Sequence, residues 1–357
     1  MKILATFFGS IFWLAGTCQI LTVDNNPTPL GGSYATLQAA YDDASPGDTL
    51  YLIPSTINYG DLSIAKQLTF FGGGYNPDSD HRLVSEVGVF NLNQGSSNTV
   101  LSGLKIHDLR LAYEAAIYDL DTIRVTHCHI DEVGLGESGS NSRNIDSLVF
   151  INNVFGNNGG GSVSGGYVDL VTANATTSRT YFYNNIFVGS NSSSGTISAD
   201  TANFYNNLFY GAGATGALAF YDVTRSVFEN NIFYGRAPSA TSTLSNSYFN
   251  YNLSSDSTFT SVIGTSGNSG DANLNYTDPM FTSVSLGTVY DLDFDQSIMT
   301  GSSAENAGSD GTNIGPTGGT TPYDPTGTPL PVVTKTVISS VVTEGTDISI
   351  TISGKGN

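Results

Sequence analysis

Along the middle of the chain, apolar and polar positions recur in neither a helical period nor a simple hairpin pattern. The segment FYNNLFYG at 204–211 returns as FYNNIFVG at 182–189, FENNIFYG at 228–235 and FINNVFGN at 150–157. Aligned on their first Phe, the copies extend back to Val125 and Leu101 and forward to Phe249, at intervals of 21–32 residues. Self-similarity at such a period predicts a solenoid. The copies are aromatic, β-branched, Asn and Gly rather than Ala, Leu, Glu and Lys, which excludes helical repeats.

Each alignment column has its own chemistry. The first-Phe column (Leu101, Val125, Phe150, Phe182, Phe204, Phe228, Phe249) is apolar throughout and predicts a core file. Two residues earlier stand Ile123, Leu148, Thr180, Ala202 and Ser226, apolar or small, as alternation along a strand requires. One residue later the column is mixed and faces water. Three residues later it reads Asn153, Asn185, Asn207, Asn231, Asn252. If successive coils stack about 4.8 Å apart, these amides form an internal ladder, each donating to one neighbour and accepting from the other. Gly156, Gly189, Gly211 and Gly235 are expected to supply positive-φ corners. Loops that bulge outward account for the unequal intervals, the largest lying between the copies at 150 and 182.

This arrangement resembles the right-handed parallel β-helix of the pectate-lyase-like superfamily. The opening GGSYATLQAAYDDASPGDTLYLIPSTINYGDLSIAKQLTFFGGGY is similar to the start of such proteins. It predicts a short helix with Ser33 as N-cap, Leu37, Ala40 and Tyr41 on one face, and a stop at Ser45-Pro46-Gly47. That helix would plug the open end of the coil. DPMF at 278–281 and the stretch 290–319 resemble the closing segment of bacterial β-helix proteins. The expected fold is therefore all-β: a right-handed single-stranded parallel β-helix with a short N-terminal capping helix and a C-terminal β segment. The expected boundaries are a signal peptide at 1–18, the β-helix at 19–319, a Pro/Gly/Thr-rich linker at 320–334 and a β segment at 335–357.

Composition adds an address. MKILATFFGSIFWLAGTC has one Lys, an apolar run and small residues, the layout of a secretory signal with cleavage near Cys18 or Gln19. Its run is shorter than the roughly 20 residues of a membrane span, so a secreted or outer-surface protein without a span is expected. Removal of that segment leaves Cys128 alone, with no intramolecular disulfide. Charged residues make up only 12%, yet the net charge is −19, which repels nucleic acid and anionic membranes. Polyuronates are repelled too unless a cation intervenes. The 19 Phe and 19 Tyr suffice for a packed core.

Candidate chemistry is thinner. Pectate lyases on this scaffold carry Trp-x-Asp-His and Arg-x-Pro-x-x-Arg, but the one Trp is Trp13, and Arg236 and Pro238 are followed by Thr241 where Arg is required. The polygalacturonase marks Gly-His-Gly and Arg-x-Lys are absent, and the one Asp-Asp pair, Asp42-Asp43, ends the capping helix. The remaining cluster is DLDTIRVTHCHID at 119–131. Asp121 and Asp146 each fall four before their column residue, as does Asp200, so they are expected to stack. Stacked acids share a proton or a cation; calcium, Arg124 or Arg143 are the candidates. His127 and His129 flank Cys128; on a straight strand the imidazoles share a face and the thiol points opposite, so the three cannot ligate one ion. Cys128 occupies the ladder column, as a buried thiol would, and either His could pair with Asp131 or Asp108. Asp291, Asp293 and Asp295 share one face of an expected strand. Tyr183 with Tyr205, and Tyr210 with Tyr234, are expected to form exposed aromatic rows able to stack on sugar rings.

Two readings of function result. One is a secreted or cell-surface module that binds glycan, adheres or gives structure. The other is a polysaccharide lyase or glycoside hydrolase of unrecognised type, with Asp121, Asp146, Arg124 and His127 or His129 at its centre.

Overall fold

A computed structural model describes residues 18–76, 83–112, 118–135, 143–156, 168–171, 175–189, 197–211, 219–238, 243–255, 259–288, 290–324, 332–338 and 350–355. Residues 1–17 of the expected signal peptide, and most of the stretch between Gly156 and Ala175 where the largest loop is expected, lie outside these residues. The chain is nearly all β, built on two long sheets whose strands alternate along the sequence. Within both sheets every strand pairs in parallel with its equivalent in the next coil, a pattern compatible with a parallel β-helix. The first sheet carries the column residues, on strands such as Thr180–Tyr183, Ala202–Tyr205 and Val227–Glu229. The second runs through Glu86–Leu92, Lys105–Leu111 and His129–Leu135, then forks into Ile186–Gly189 and its successors on one branch and Ile197–Asp200 and its successors on the other.

Stacking in register explains the repeated phrase. Phe150, Phe182, Phe204, Phe228 and Phe249 form one internal file, with ring centroids 4.7–4.9 Å apart. Phe155, Phe187, Phe209 and Phe233 form a second at 4.6–4.9 Å, and both are buried. Between them runs the amide ladder. In each step the Oδ1 of one Asn accepts both the backbone N–H and the Nδ2 of the Asn one coil earlier, from Asn153 through Asn185, Asn207, Asn231 and Asn252 to Asn273. Each Nδ2 also donates to a core-column carbonyl one coil back, as Asn207 does to Phe182 O at 3.0 Å. Cys128 begins the file, its N–H donating to Asn153 Oδ1 at 2.9 Å.

The corners differ from expectation. Gly189 and Gly211 are not in the left-handed region; among the four phrase-end glycines only Gly156 and Gly235 are. The recurring left-handed residues stand two after the column (His127, Asn152, Asn184, Asn206, Asn230) and three before it (Thr122, Ser147, Arg179, Thr201, Arg225). Asn tolerates this region better than most residues, which is why the phrase carries a doubled Asn: the first makes the corner and the second the ladder. Gly189 and Gly211 instead leave room for the buried side chain of Arg236, whose guanidinium occupies the space a Cβ at 189 would take.

The helix Leu37–Asp43 covers the first strands as expected, burying Leu37 and Ala40. Its N-cap is Thr36, whose side chain accepts from Ala39 N at 3.3 Å, rather than Ser33. At the far end the 3₁₀ turn Phe259–Ser261 sets Phe259 edge-on to Phe233. Among the described residues no helix is long and apolar enough to cross a membrane.

Residues 278–324 do not continue the coil. They fold back as a strap over the outside of the second sheet, where Val154, Ile186, Leu208, Ile232, Val188, Tyr210 and Tyr234 would otherwise meet water. The corner asparagines hold it. Asn184 Nδ2 donates to Pro316 O and Gly318 O at 2.9 and 2.7 Å, Asn206 Nδ2 to Asn313 O at 3.2 Å, and Asn230 Oδ1 accepts from Ser309 N at 2.9 Å. Tyr323, at the start of the expected linker, is buried and bonds the hydroxyl of Tyr75 at 2.6 Å. Asp291, Asp293 and Asp295 are exposed, on a turn of this strap rather than on the expected strand. Beyond it, Val332–Ile338 and Ile350–Lys355 pair antiparallel.

Candidate functional site

Asp121 and Asp146 stack, but Asp146, like Asp200 two coils on, is already neutralised. Asp121 and Asp146 lie in register on the strands Tyr118–Thr126 and Arg143–Ile151, and Ser178 follows in the next coil. Asp146 accepts from Ser178 Oγ at 2.8 Å and Arg179 Nε at 2.7 Å, and also pairs with Arg179 Nη2. Asp200 takes the Thr224 hydroxyl and Arg225 in the same way. The partners expected from the sequence were Arg124 or Arg143. The structure instead uses the arginine at the left-handed corner of the following coil. The Arg179 guanidinium holds the Asp146 carboxyl far below the usual carboxylate range, against a smaller opposing effect of burial. Asp146 therefore stays charged and has no proton to deliver as a general acid. Nor does this column suit calcium, because the oxygens of Asp146 and Asp200 are taken by arginine; among the described residues no three His, Cys, Asp or Glu side chains converge as a ligand set.

The other expected catalytic residues are spread around the coil. Arg124 is exposed on the outer face of the first sheet. His127 sits at the corner with φ of 53° and a buried Nδ1 that finds no hydrogen bond; burial, with Arg124 nearby, pushes its pKa down against the pull of Asp324. His129 lies past the corner on the second sheet, only 4% exposed, donating from Nε2 to Gly156 O at 2.8 Å and edge-on to the Tyr75 ring. Burial lowers its pKa as well. Cys128 points inward, its thiol pushed up to about 12 by burial, and is inert. The five expected catalytic groups do not meet in one cleft.

The tyrosines divide into two fates. Tyr210 and Tyr234, expected as an exposed row, lie under the strap; the Tyr210 hydroxyl donates to Ser285 O and Thr288 O at 2.8 and 2.7 Å. They are core residues of the second apolar cluster. Tyr183 and Tyr205 are half-buried on the open face of the first sheet, parallel within 13° at 5.3 Å, and Tyr181 joins them 5.9 Å from Tyr183 at 7°. Parallel rings in contact at such centroid spacings are slipped by about 4 Å, given a normal carbon contact of ~3.6 Å. The three rings are thus offset from one another, and each keeps partial contact with solvent. Tyr248, 42% exposed, stands in the same file as Tyr181, three coils on.

A polar group that the sequence reading missed lies on the second sheet. His107 bridges successive coils, Nε2 to Glu86 Oε1 at 2.5 Å and Nδ1 to Asp131 Oδ2 at 2.9 Å, with Lys105 Nζ 3.3 Å from Glu86. A carboxylate only accepts, so both contacts are hydrogen bonds when the imidazole carries both protons. Burial raises the Glu86 pKa, but His107 and Lys105 outweigh it and hold the carboxyl below its ordinary value. Asp131 is thus engaged mainly by His107, while His129 lies 3.8 Å away and Asp108 pairs with Arg110 at 2.6 Å. The register of His107 with Asp131 was the available signal, hidden because neither residue repeats.

No family model matches this chain, and no curated protein matches it by sequence.

Proposed function

We propose that this is a secreted or cell-surface protein of the right-handed, pectate-lyase-like β-helix type that binds an extracellular glycan on the open face of its first sheet. The single observation that supports this reading is the offset group Tyr181, Tyr183 and Tyr205, half-exposed on a rigid stacked support. Aromatic rings with an uncovered face offer apolar contact to sugar C–H surfaces, and tyrosine hydroxyls add hydrogen bonds at the rim. A stacked scaffold preorganises those rings and lowers the ordering cost of binding. Right-handed winding is the form that nearly all parallel crossovers take, and a crystal structure would read it directly. Export rests on the apolar segment ahead of Gln19 and is checked by locating the protein in cell fractions.

The lyase or hydrolase alternative has weaker support, because only Asp121 and Asp146 stand together, His127 lies at the corner and His129 on the second sheet, and Asp146 is locked to Arg179. Glycan-array binding with wild type and a Tyr183→Ala/Tyr205→Ala double variant tests the binding reading. Loss of signal in a variant that retains its melting temperature is expected. An array on which the two proteins give the same pattern would refute it.

A further inference from the structure

The charges around the tyrosine strip constrain its ligand further. Resting on the glycan-binding reading, we infer that the ligand is a neutral, unbranched chain of pyranose rings lying along the coil axis, about one ring per coil. On one margin the charged groups are closed upon themselves, Asp146 with Arg179 and Asp200 with Arg225, each carboxylate also taking a hydroxyl from the protein. On the other margin the amides of Asn184 and Asn206 are spent on the strap. Glu229 is in register with Tyr205 and borders it directly, and the chain carries a net charge of −19. A uronate or sulfate on this strip would meet repulsion without a compensating cation. Arg124, in the file of Tyr181, is two coils away.

What remains open to a ligand is apolar stacking, and its spacing runs along the axis. Tyr183 and Tyr205 repeat at 5.3 Å, one coil apart, and a linear pyranose chain with equatorial linkages advances by about one ring over the same distance. The neighbouring file runs from Tyr181 through Asn203 and Val227 to Tyr248, three coil steps or ~14 Å with tyrosine at its two ends, which is four rings counting both ends. An all-equatorial pyranose presents C–H groups on both faces, the surface that stacking on tyrosine requires.

The test is calorimetric titration of the full chain with neutral β-1,4-linked oligosaccharides (cello- and manno-series, dimers to hexamers) and with oligogalacturonates of matched length, with and without calcium. Affinity for a neutral series is expected to rise with length to about four rings and then level off, with little change between low and high salt. Tyr205→Ala should weaken every neutral ligand about 3–10-fold, as loss of one stacking contact does. Tyr248→Ala should leave dimers unchanged and bring the plateau to a shorter length; both variants are compared at unchanged melting temperature. Preference for oligogalacturonate, lost in salt or gained with calcium, overturns this inference but leaves the glycan reading standing. Binding of the neutral series without any length dependence also overturns the axial, ring-per-coil arrangement. Failure of Tyr183→Ala and Tyr205→Ala to weaken any bound glycan defeats the parent reading itself.

Discussion

Replacing Asn207 by Ala removes the middle rung of the ladder, and its cost can be worked from the bonds it makes. The backbone N–H and one Nδ2 hydrogen of Asn185 lose their acceptor, and the carbonyl of Phe182 loses its donor. All three groups belong to residues with no exposed surface. At about 1–3 kcal/mol for each buried group left without a partner, the loss is about 3–9 kcal/mol, set against a total stability of roughly 5–15 kcal/mol for a folded domain. Asn273→Ala makes the informative control. Asn273 serves the same three kinds of group, in Asn252 and Phe249, but is half-exposed at the mouth of a pocket in the last coil, where water can replace it. There the cost falls to about 0.5–1.5 kcal/mol. Urea unfolding followed by circular dichroism compares the two. Asn207→Ala should lower the midpoint severalfold more than Asn273→Ala, or split the transition as the coils on either side uncouple. Equal midpoints for the two variants would refute the view that the internal amides fix the coil.

Three other outcomes follow from the packing. Gly189→Ala drives a methyl group into the Arg236 guanidinium and should cost about 1–3 kcal/mol; in an Arg236→Ala background the same change should be nearly neutral, and an identical penalty in both backgrounds would contradict the assigned role of that glycine. Burial holds His129 neutral, so its folded pKa lies below the unfolded value of about 6.5. The unfolded chain then takes up the extra proton first, and stability present above that pH is lost as pH falls toward the folded value. Urea midpoints at pH 7.5 and 5.5 should show the drop, with a shallower slope in His129→Gln; an unchanged slope would assign the pH dependence elsewhere. Tyr210→Phe removes the hydroxyl that joins Ser285 O and Thr288 O and should cost about 1 kcal/mol, with faster proteolytic cleavage within the strap; unaltered cleavage kinetics would show that this bond does not hold it.

The coil was legible because stacking places like on like: a Phe or Asn that recurs in one column has its own kind for a neighbour, and sequence alone reveals the file. Residues whose partners differ from themselves were harder. Arg179 and Arg225 each stand three before a column Phe, one coil after Asp146 and Asp200, and that offset was readable. His107 had no such repetition; strand register sets it beside Asp131, and Glu86, in register with Lys105, is its diagonal neighbour. The strap left a sign in Ile186-Phe187-Val188, Leu208-Phe209-Tyr210 and Ile232-Phe233-Tyr234, where alternation fails for three residues. An unbroken apolar run is what a strand covered on both faces requires. Reading Tyr210 and Tyr234 as exposed overlooked that break, whereas Tyr181 and Tyr183 kept strict alternation with Phe182 and stayed at the surface.

Because the strap follows the coils in the sequence, the coils are synthesised with their outer apolar file bare. At about 5–20 residues per second, translation needs roughly 10–30 s to pass from Val154 to Ile314, a strap member of the same apolar cluster. For that interval the growing coils present Ile186, Leu208 and Ile232 with nothing to lay over them. A chain cut before residue 278 would keep that file exposed, an apolar surface of the kind that drives self-association.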